Sequence, residues 1–322
     1  MTAQPERDGY VLIIGAMKSG TTTLFRLLAA HPEIAAATPK EPGFFAFDEI
    51  FARGRDWYEG LFGFDPDRHA WRLEGSTDYT KAPFVTGVRA RIDAFAEAAP
   101  RPVRVKAIYV MRHPLRRIES HARHVQRTGR EIGHHASPRP DHSLDAGLSL
   151  PALAMTRYAA QLDGWADLHA AGDLHLVTLE ELTAAPDRVM GGIWDFLGLA
   201  PPAADGPAAP PAEGAAGGAA GGVAGPIVRA NAGDPGRKRI DDRWPGLAAR
   251  HPRLVALGRA LLPGGLRARI KRGFKRRVAP KAGRFELDPA EARALAETLR
   301  PDLARLHAVY GVDSRTVWNL EN

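Results

Sequence analysis

The chain has 322 residues, of which 44% are hydrophobic, and a formal net charge of +7. This length allows one large α/β domain or two small ones with an ample core, and the lack of cysteine excludes disulfides, a thiol nucleophile and a cysteine-ligated metal. No stretch is long and apolar enough to cross a bilayer, and residues 1–8, which we expect to form a flexible tail, lack the pattern of a signal peptide. The sequence therefore predicts a cytoplasmic protein without a transmembrane segment.

The first predicted strand is followed by a loop that is suited to binding an anion. Residues Tyr10–Ile14 form a short apolar run rich in β-branched side chains, which is typical of a buried parallel strand. Gly15 ends this run, and Thr21–Thr23 open a segment with apolar residues at helical spacing. A tight glycine turn between a strand and a helix directs backbone N–H groups and the positive end of the helix dipole at one point. Lys18 adds a positive charge inside the loop, so the expected ligand is a phosphate or a group of similar shape.

This loop differs from the Walker A motif of nucleotide hydrolases. That motif places a lysine directly after its second glycine, followed by Ser or Thr for magnesium. Here Gly15 and Gly20 have the required separation, but Thr21 follows the second glycine and the lysine is Lys18. A lysine inside the loop reaches a different atom of the ligand, so hydrolysis of ATP or GTP is not the first expectation.

Strands and helices alternate along most of the remaining chain. A short strand from residue 73 runs into a polar turn that ends at residue 80, and buried strands are predicted at 103–111 and 174–179. Helices are predicted at 84–98, 115–124, 153–169, 186–197, 252–262 and 289–309. Asp288 has the character of a helix start, and Trp318 is expected in the core. The alternation favours an α/β fold with a parallel sheet.

A second anion-binding signal follows the strand predicted at 103–111. Ligands of α/β sheets lie beyond the carboxyl ends of the strands, and Arg112 stands at such an end. Ser120 lies about two helical turns further along the chain. A guanidinium with a hydroxyl suits a second phosphate. The other interpretation is that Arg112 caps a helix and Ser120 packs on its surface.

The composition changes after residue 200. Residues 200–226 are rich in Gly, Ala and Pro and nearly uncharged, which predicts a disordered segment or a mobile loop. Between Arg229 and Arg284 there are 17 Lys or Arg and 3 Asp or Glu, so this segment carries +14 and the remainder −7. Such a division suggests an anionic partner: residues 267–284 could contact an anionic membrane surface or an acidic glycan, or form a solvated helix face. Aromatic residues interleaved for base stacking are missing, so no nucleic acid is expected as a partner.

Several segments resemble, in the same order, the motifs of one enzyme family. Residues 15–24, GAMKSGTTTL, resemble the 5′-phosphosulfate loop of sulfotransferases that use 3′-phosphoadenosine 5′-phosphosulfate (PAPS). Residues 108–120, IYVMRHPLRRIES, resemble the 3′-phosphate motif of that family. Residues 40–45, KEPGFF, are similar to the segment that carries the acceptor-activating glutamate in heparan-type carbohydrate sulfotransferases. Further segments that look like family segments are 73–79, 157–165 and 310–318.

The resemblance implies a sulfotransferase-type α/β fold, in which a parallel sheet like that of P-loop NTPases has helices on both faces. It implies a single domain over residues 9–322, which residues 200–226 interrupt and which ends in a basic helical part at 227–322. PAPS would be the sulfate donor, leaving as adenosine 3′,5′-bisphosphate (PAP), and no metal is expected. The residues that the resemblance implies for donor binding are Lys18, Ser19, Gly20, Thr21, Thr22, Thr23, Arg112, Ser120 and, in a late loop together with Asn231, Arg229.

The resemblance also implies the chemical roles. Lys18 would stabilise the leaving phosphate and Glu41 would accept the proton of the acceptor, a hydroxyl or an amine. Glu74 is a reserve candidate for the base, and Asp78 is a weaker one. The turn that begins with Glu74, Gly75 and Ser76 lacks the lysine that heparan enzymes carry there, so a heparan-like acceptor is not implied, and a carbohydrate or a small metabolite is expected.

Two other functions fit parts of the sequence. A nucleotide kinase or NTPase with an unusual P-loop would show magnesium-dependent turnover of ATP. A non-catalytic anion-binding protein would bind lipid or DNA in a salt-sensitive way and have no cofactor affinity. Tight binding of PAP without a metal would favour the sulfotransferase.

Overall fold

The computed structural model describes residues 8–128, 150–202 and 285–320. Several predictions lie outside the described residues: the tail up to residue 7, the Gly/Ala-rich segment from residue 203, the helix at 252–262, the late-loop residues Arg229 and Asn231, and the basic segment 267–284. The division into a tail, one domain and an interrupting segment therefore stays a prediction.

A parallel sheet forms the centre of the described structure, as predicted. Its strands are β1 (Gly9–Gly15), β2 (Ile34–Ala36), β3 (Trp71–Glu74), β4 (Arg104–Met111) and β5 (Leu174–Thr178), in the order β2-β3-β1-β4-β5. β1 pairs with β3 on one side and with β4 on the other, both in parallel. The chain passes from β1 towards β2, and later crosses from β3 to β4. The carboxyl end of β1 is thus the point where the direction of winding changes, and ligands of open α/β sheets bind at such a point.

Helices cover both faces of the sheet. Those of the described residues are α1 (Thr21–Ala29), α2 (Asp48–Phe51), α3 (Gly54–Glu59), α4 (Val88–Glu97), α5 (Pro114–Thr128), α6 (Leu150–Ala154), α7 (Tyr158–Leu162), α8 (Ala166–Ala170), α9 (Leu179–Ala184), α10 (Pro186–Leu197), α11 (Pro289–Tyr310) and α12 (Ser314–Trp318), with 3₁₀ turns at Thr77–Thr80 and Asp163–Trp165. None of the described helices is both long and apolar enough to cross a membrane.

Alternate residues of β1 point into two separate hydrophobic clusters, as the period of two in a strand requires. Tyr10, Leu12 and Ile14 pack with apolar residues of α4, α7 and α11. Val11 and Ile13 pack on the opposite face with residues of α1, α9 and α10. A strand that is apolar on both faces is typical of the middle of a parallel sheet, so this packing explains why the run in β1 does not alternate with polar residues.

The predicted helix over 153–169 is wrong as a continuous element. The chain there forms α6, α7, a 3₁₀ turn and α8, because side chains from distant elements take up the backbone groups that a continuous helix would pair. The Asp302 carboxylate accepts the N–H groups of Ala159 and Ala160, at 3.1 and 3.0 Å, and so begins α7 afresh. Arg117 donates to the carbonyl of Ala152 in α6.

The C-terminal part of the described chain packs onto the domain. Asp288 caps α11 through the N–H groups of Ala290 and Glu291, and Glu291 completes the capping box, as predicted for this helix start. Trp318 is buried, which confirms its expected place in the core. Its indole N–H donates to Glu180 Oε2 at 3.0 Å. This bond ties the end of the described chain to the segment that follows β5.

Candidate active site

The β1–α1 loop, residues Ala16–Gly20, leaves backbone donors available at its end. Lys18 and Gly20 have left-handed backbone angles, with φ of 72° and 95°. The first helical hydrogen bond runs from Thr23 N to Gly20 O at 2.9 Å, so the N–H groups of Gly20, Thr21 and Thr22 are not used by the helix. No side chain caps α1, and its first turn contains no acidic residue. The end of α1 therefore has the donors and the polarity that attract an anion.

The glycine before this loop is required by a close approach of the chain after β3. A Cβ at Gly15 would lie 2.0 Å from Thr80 Oγ1 and 2.8 Å from the ring of Tyr109. The Thr80 hydroxyl donates to Ile14 O at 2.7 Å, which fastens the 3₁₀ turn to the end of β1. Any side chain at residue 15 would push this turn away from the loop.

Ser19 in the β1–α1 loop has a side chain whose surroundings fit a bound anion. Its hydroxyl is completely buried, beside that of Tyr158, but makes no hydrogen bond of acceptable geometry with any residue in the described part of the chain. A buried hydroxyl without a partner costs about 1–3 kcal/mol. A phosphate or sulfate oxygen bound at the loop would accept this proton, so the residues present fit an anionic ligand.

Arg112, one of the two residues of the second anion-binding signal, lies next to the loop. Its Nη1 is 3.5 Å from the carbonyl oxygen of Lys18. The Tyr158 hydroxyl holds the Arg112 backbone, because it donates to Arg112 O at 2.7 Å and accepts from Arg112 N at 3.3 Å. Burial raises the pKa of Tyr158 to about 12, so this hydroxyl keeps the proton that it donates. Ser120 lies on α5 and is partly buried.

Sequence reasoning missed Arg117, which lies on α5 and is completely buried. Its guanidinium donates to Thr156 Oγ1 at 2.9 Å and to Met17 O in the β1–α1 loop at 3.4 Å. No carboxylate pairs with it among the described residues. Burial lowers its pKa from the usual value, yet a guanidinium stays charged, so Arg117 adds a positive potential behind the loop. Only its place five residues after Arg112 could have drawn attention to it.

Glu41 lies in the loop that follows β2, at the same edge of the sheet. We call residues Lys40–Phe45 the Glu41 loop. The Glu41 side chain is 25% exposed, and the Lys40 ammonium lies 2.6 Å from its Oε1. The same ammonium donates to Gly75 O at 2.9 Å, and Gly75 N donates to Lys40 O at 3.0 Å. A Cβ at Gly75 would lie 3.2 Å from Lys40 Nζ, so Lys40 takes up the space beside this glycine.

The two reserve candidates for a base are both buried. Glu74 has no exposed surface, and its carboxylate accepts hydrogen bonds from Tyr58, Ser76 and Tyr79. Burial raises the pKa of Glu74 to about 7, although these hydroxyls and the positive charge of Lys40 act in the opposite direction. Asp78 is paired with Lys81 at 2.5 Å, and this pair is also buried. Of the three carboxylates considered, only that of Glu41 is open to an acceptor.

The described residues contain no group of three or more metal-ligating side chains in a suitable arrangement. Glu41 follows β2 on one side of β1 and Arg112 follows β4 on the other, so both charged side chains belong to segments at the carboxyl edge of the sheet. The arrangement offers an anion site with backbone donors and, at the same edge of the sheet, a partly exposed carboxylate able to accept a proton.

Comparisons with known proteins agree with this architecture. The family model described as "Sulfotransferase domain" matches residues 8–205. Mouse heparan sulfate glucosamine 3-O-sulfotransferase 6 is 30% identical over 196 residues, which are 58% of this chain and 52% of the relative. Mouse heparan sulfate glucosamine 3-O-sulfotransferase 3A1 is 30% identical over 203 residues, 58% of this chain and 45% of the relative. The chain therefore spans about half the length of these relatives.

One solved structure has a similar fold. The crystal structure of a sulfotransferase from Alicyclobacillus acidocaldarius covers 97% of this chain and 98% of its own, with a TM-score of 0.54 and 21% sequence identity. At this identity the similarity concerns the fold, and it agrees with the parallel sheet and its flanking helices.

Proposed function

The chain belongs to the sulfotransferase family, and we propose that it transfers the sulfuryl group of PAPS to a hydroxyl or amine of a carbohydrate. The observation that carries this proposal is the β1–α1 loop, where the buried hydroxyl of Ser19 lacks a partner among the described residues and the first N–H groups of α1 are free of helical bonds. Arg112 beside this loop supplies a second cationic group. PAPS has two anionic ends, a 5′-phosphosulfate and a 3′-phosphate, which match two neighbouring anion sites.

The residues divide between these two ends. We assign the 5′-phosphosulfate to Lys18 and Ser19, the backbone of Gly20 and the hydroxyls of Thr21–Thr23. We assign the 3′-phosphate to Arg112 together with Ser120 of α5. Arg229 lies outside the described residues, and its contact with the donor stays a prediction.

PAPS supplies an activated sulfuryl group whose transfer leaves a phosphate. The ammonium of Lys18 neutralises negative charge that develops near the loop, a contribution worth about 10²–10³ in rate for a single donor. Glu41 accepts the proton of the attacking group, a step worth about 10²–10⁴. Because transfer is in line, most of the remaining work is to hold the acceptor and donor in register, which requires a fixed position of Glu41 relative to the β1–α1 loop.

The names of the similar relatives support a carbohydrate acceptor, since both are described as acting on glucosamine in heparan sulfate. The turn after β3 lacks the lysine expected of heparan enzymes, and the Lys40 ammonium lies beside this turn, where it donates to Gly75 O. A small metabolite is the other acceptor class that we consider. Cytoplasmic localisation and a membrane or glycan contact of residues 267–284 stay predictions.

Thermal unfolding in the presence of nucleotides tests the donor. We expect PAP to raise the melting temperature without a metal, because a ligand at 100 times its dissociation constant adds about 2.7 kcal/mol of stability. ATP or GTP with magnesium should have a much smaller effect. A larger shift with Mg-ATP and ATP turnover would instead support the kinase interpretation, and lipid or DNA binding without any PAP effect would support the non-catalytic one.

Transfer of labelled sulfate from PAPS to a panel of polysaccharides tests the reaction itself. The panel contains unsulfated heparosan, N-sulfated heparosan and chondroitin. Glu41→Gln should lower kcat about 10²–10⁴-fold, whereas Glu49→Gln removes an exposed carboxylate of α2 and controls for the lost charge. Equal activity of both variants would exclude Glu41 as the base.

A further inference from the structure

Glu74 is a completely buried carboxylate that three hydroxyl groups surround. Tyr58 donates to its Oε1 at 3.0 Å, Tyr79 donates to the same oxygen, and Ser76 donates to Oε2 at 2.5 Å. The mechanism proposed above does not use this group. Burying a charged carboxylate costs free energy, and hydrogen bonds to the charge must offset this cost. The three hydroxyl groups supply such bonds to Glu74.

Two of the three hydroxyls extend the network to the Glu41 loop. Ser76 Oγ accepts the N–H of Gly43 at 2.9 Å, and the Tyr79 hydroxyl accepts the N–H of Phe45 at 3.2 Å. Both of these bonds are buried. The third hydroxyl, that of Tyr58, bonds to Glu74 and has no hydrogen bond to the Glu41 loop among the described residues. Two of the hydroxyl groups thus connect Glu74 to the Glu41 loop, and the third does not.

We propose that Glu74 is the positioning residue of the reaction, which fixes the Glu41 loop against β3 through the hydroxyls of Ser76 and Tyr79. This inference rests on the proposed function, because it takes Glu41 as the base. It assigns Glu74 no contact with the acceptor. Its effect on transfer passes through the backbone of Gly43 and Phe45, two and four residues after Glu41.

The direction of the hydrogen bonds shows why a charged carboxylate is needed. An ionised carboxylate offers only acceptor sites, so all three hydroxyl protons can point at Glu74. The oxygens of Ser76 and Tyr79 then keep lone pairs for the two backbone N–H groups. If Glu74 carries a proton, it donates to one of these hydroxyls, whose own proton is left in a buried place without an acceptor. The loop is held fully only in the ionised state.

This ionisation falls in the range of an activity assay. Burial raises the pKa of Glu74 to about 7. The groups that face it are Tyr58 from α3, Tyr79 and Ser76 from the chain after β3, and Lys40 from the Glu41 loop. Burial also raises the pKa of both tyrosines well above the usual value, so they stay protonated. A rise of kcat centred near pH 7 is therefore expected, and Glu74→Gln should abolish this rise.

Tyr79→Phe and Tyr58→Phe form a matched pair for the test. Each removes one buried hydroxyl from the same oxygen of Glu74, but only Tyr79→Phe also releases the N–H of Phe45. With labelled PAPS and N-sulfated heparosan as the probe acceptor, we expect the high-pH kcat of Tyr79→Phe to fall at least tenfold below that of Tyr58→Phe. A misplacement of about 1 Å can cost 10²-fold in rate. In both variants the rise of kcat should occur at a higher pH than in the wild type, because each variant loses a hydrogen bond that lowers the pKa of Glu74.

Amide hydrogen exchange tests the anchor without any acceptor. We expect the amides of Gly43 and Phe45 to exchange slowly in the wild-type protein and at least tenfold faster in Glu74→Gln. In Tyr58→Phe, the amide of Phe45 should exchange more slowly than in Tyr79→Phe. A shift of the melting temperature by PAP confirms that each variant is folded and retains its donor site.

The two readouts separate the two hypotheses. If Tyr79→Phe and Tyr58→Phe have equal kcat and equal exchange at Phe45, the positioning role is refuted even though the enzyme transfers sulfate. If exchange follows the expected order but no variant transfers sulfate from PAPS to any acceptor, the anchor stands as a structural device and the proposed function fails.

Discussion

Replacing Glu74 by glutamine should remove a large contribution to the pH dependence of the free energy of unfolding. The pKa of Glu74 is about 7 in the folded protein, against an ordinary value of 4.5, because burial disfavours its charge. Between these values the folded protein holds a proton that the unfolded chain has released. The contribution of Glu74 to stability is therefore fully present below about pH 4.5 and is lost as the pH rises through 7.

The size of the effect follows from the shift. About 2.5 pKa units at 1.36 kcal/mol each give a total of about 3 kcal/mol, of which about 2.5 kcal/mol falls between pH 5 and pH 8. For a domain of this size, this corresponds to a melting temperature about 5–10 °C lower at pH 8 than at pH 5 from this residue alone. Glutamine does not titrate, so the variant should lack this component.

Urea unfolding of the wild type and Glu74→Gln is measured at pH 5, 6, 7 and 8 at constant ionic strength. The contribution of Glu74 is the difference between the two proteins in how the free energy of unfolding changes with pH. Only the change with pH is compared, since glutamine also alters the hydrogen bonds and shifts the whole curve. Glu49→Gln, which removes an exposed carboxylate, should follow the wild type. Parallel curves for the wild type and Glu74→Gln would refute the argument that burial raises this pKa.

Three further substitutions test the site and the fold. Lys18→Ala should lower kcat about 10²–10³-fold in the PAPS assay. Arg26→Ala removes an exposed cation from α1, the helix that follows the loop, and should not lower kcat; equal losses would exclude a specific role for Lys18. Tyr158→Phe removes both hydrogen bonds to the backbone of Arg112. It should weaken PAP binding about 5- to 10-fold by calorimetry, from about 1 kcal/mol of lost bonding, and an unchanged affinity would contradict the positioning of Arg112. Gly191→Ala lies in α10 where a Cβ would meet nothing within 4 Å, so the free energy of unfolding should rise by about 0.5–1 kcal/mol; a decrease would show that this glycine is needed.

The parts of the fold that were predictable depend on neighbours in the sequence. The β1–α1 unit follows from an apolar run, two glycines and a helix start within about 20 residues, and its structure agrees with that interpretation. The broken helix at 150–170 did not follow, because Asp302 breaks the pattern from more than 130 residues away. Local spacing contains no information about such a partner.

The same limit applies within the candidate site. Glu41 lies in the loop after β2 and Glu74 is the last residue of β3, and the family resemblance made Glu41 the expected base and Glu74 the reserve candidate. What separates them is burial, 25% exposure of one side chain against none of the other. Buried aromatic residues contact Glu74, since the hydroxyls of Tyr58 and Tyr79 bond to its carboxylate. The ring of Tyr58 in turn stacks on that of Phe44, with ring centroids 4.2 Å apart. Arg117 was missed for the same reason, since a buried arginine and a surface arginine look alike in a basic helix.

The topology explains why the Glu41 loop needs an internal anchor. β3 lies between β1 and β2, so the chain after β3 separates the β1–α1 loop from the Glu41 loop. The ion pair of Lys40 and Glu41 is partly exposed, and such pairs contribute about 0–1 kcal/mol. Each buried hydrogen bond to Gly43 or Phe45 would leave an unsatisfied group worth about 1–3 kcal/mol if it were broken. The buried network of Glu74 therefore holds the backbone after Glu41 more strongly than the ion pair with Lys40 does, and the ion pair orients the Glu41 side chain.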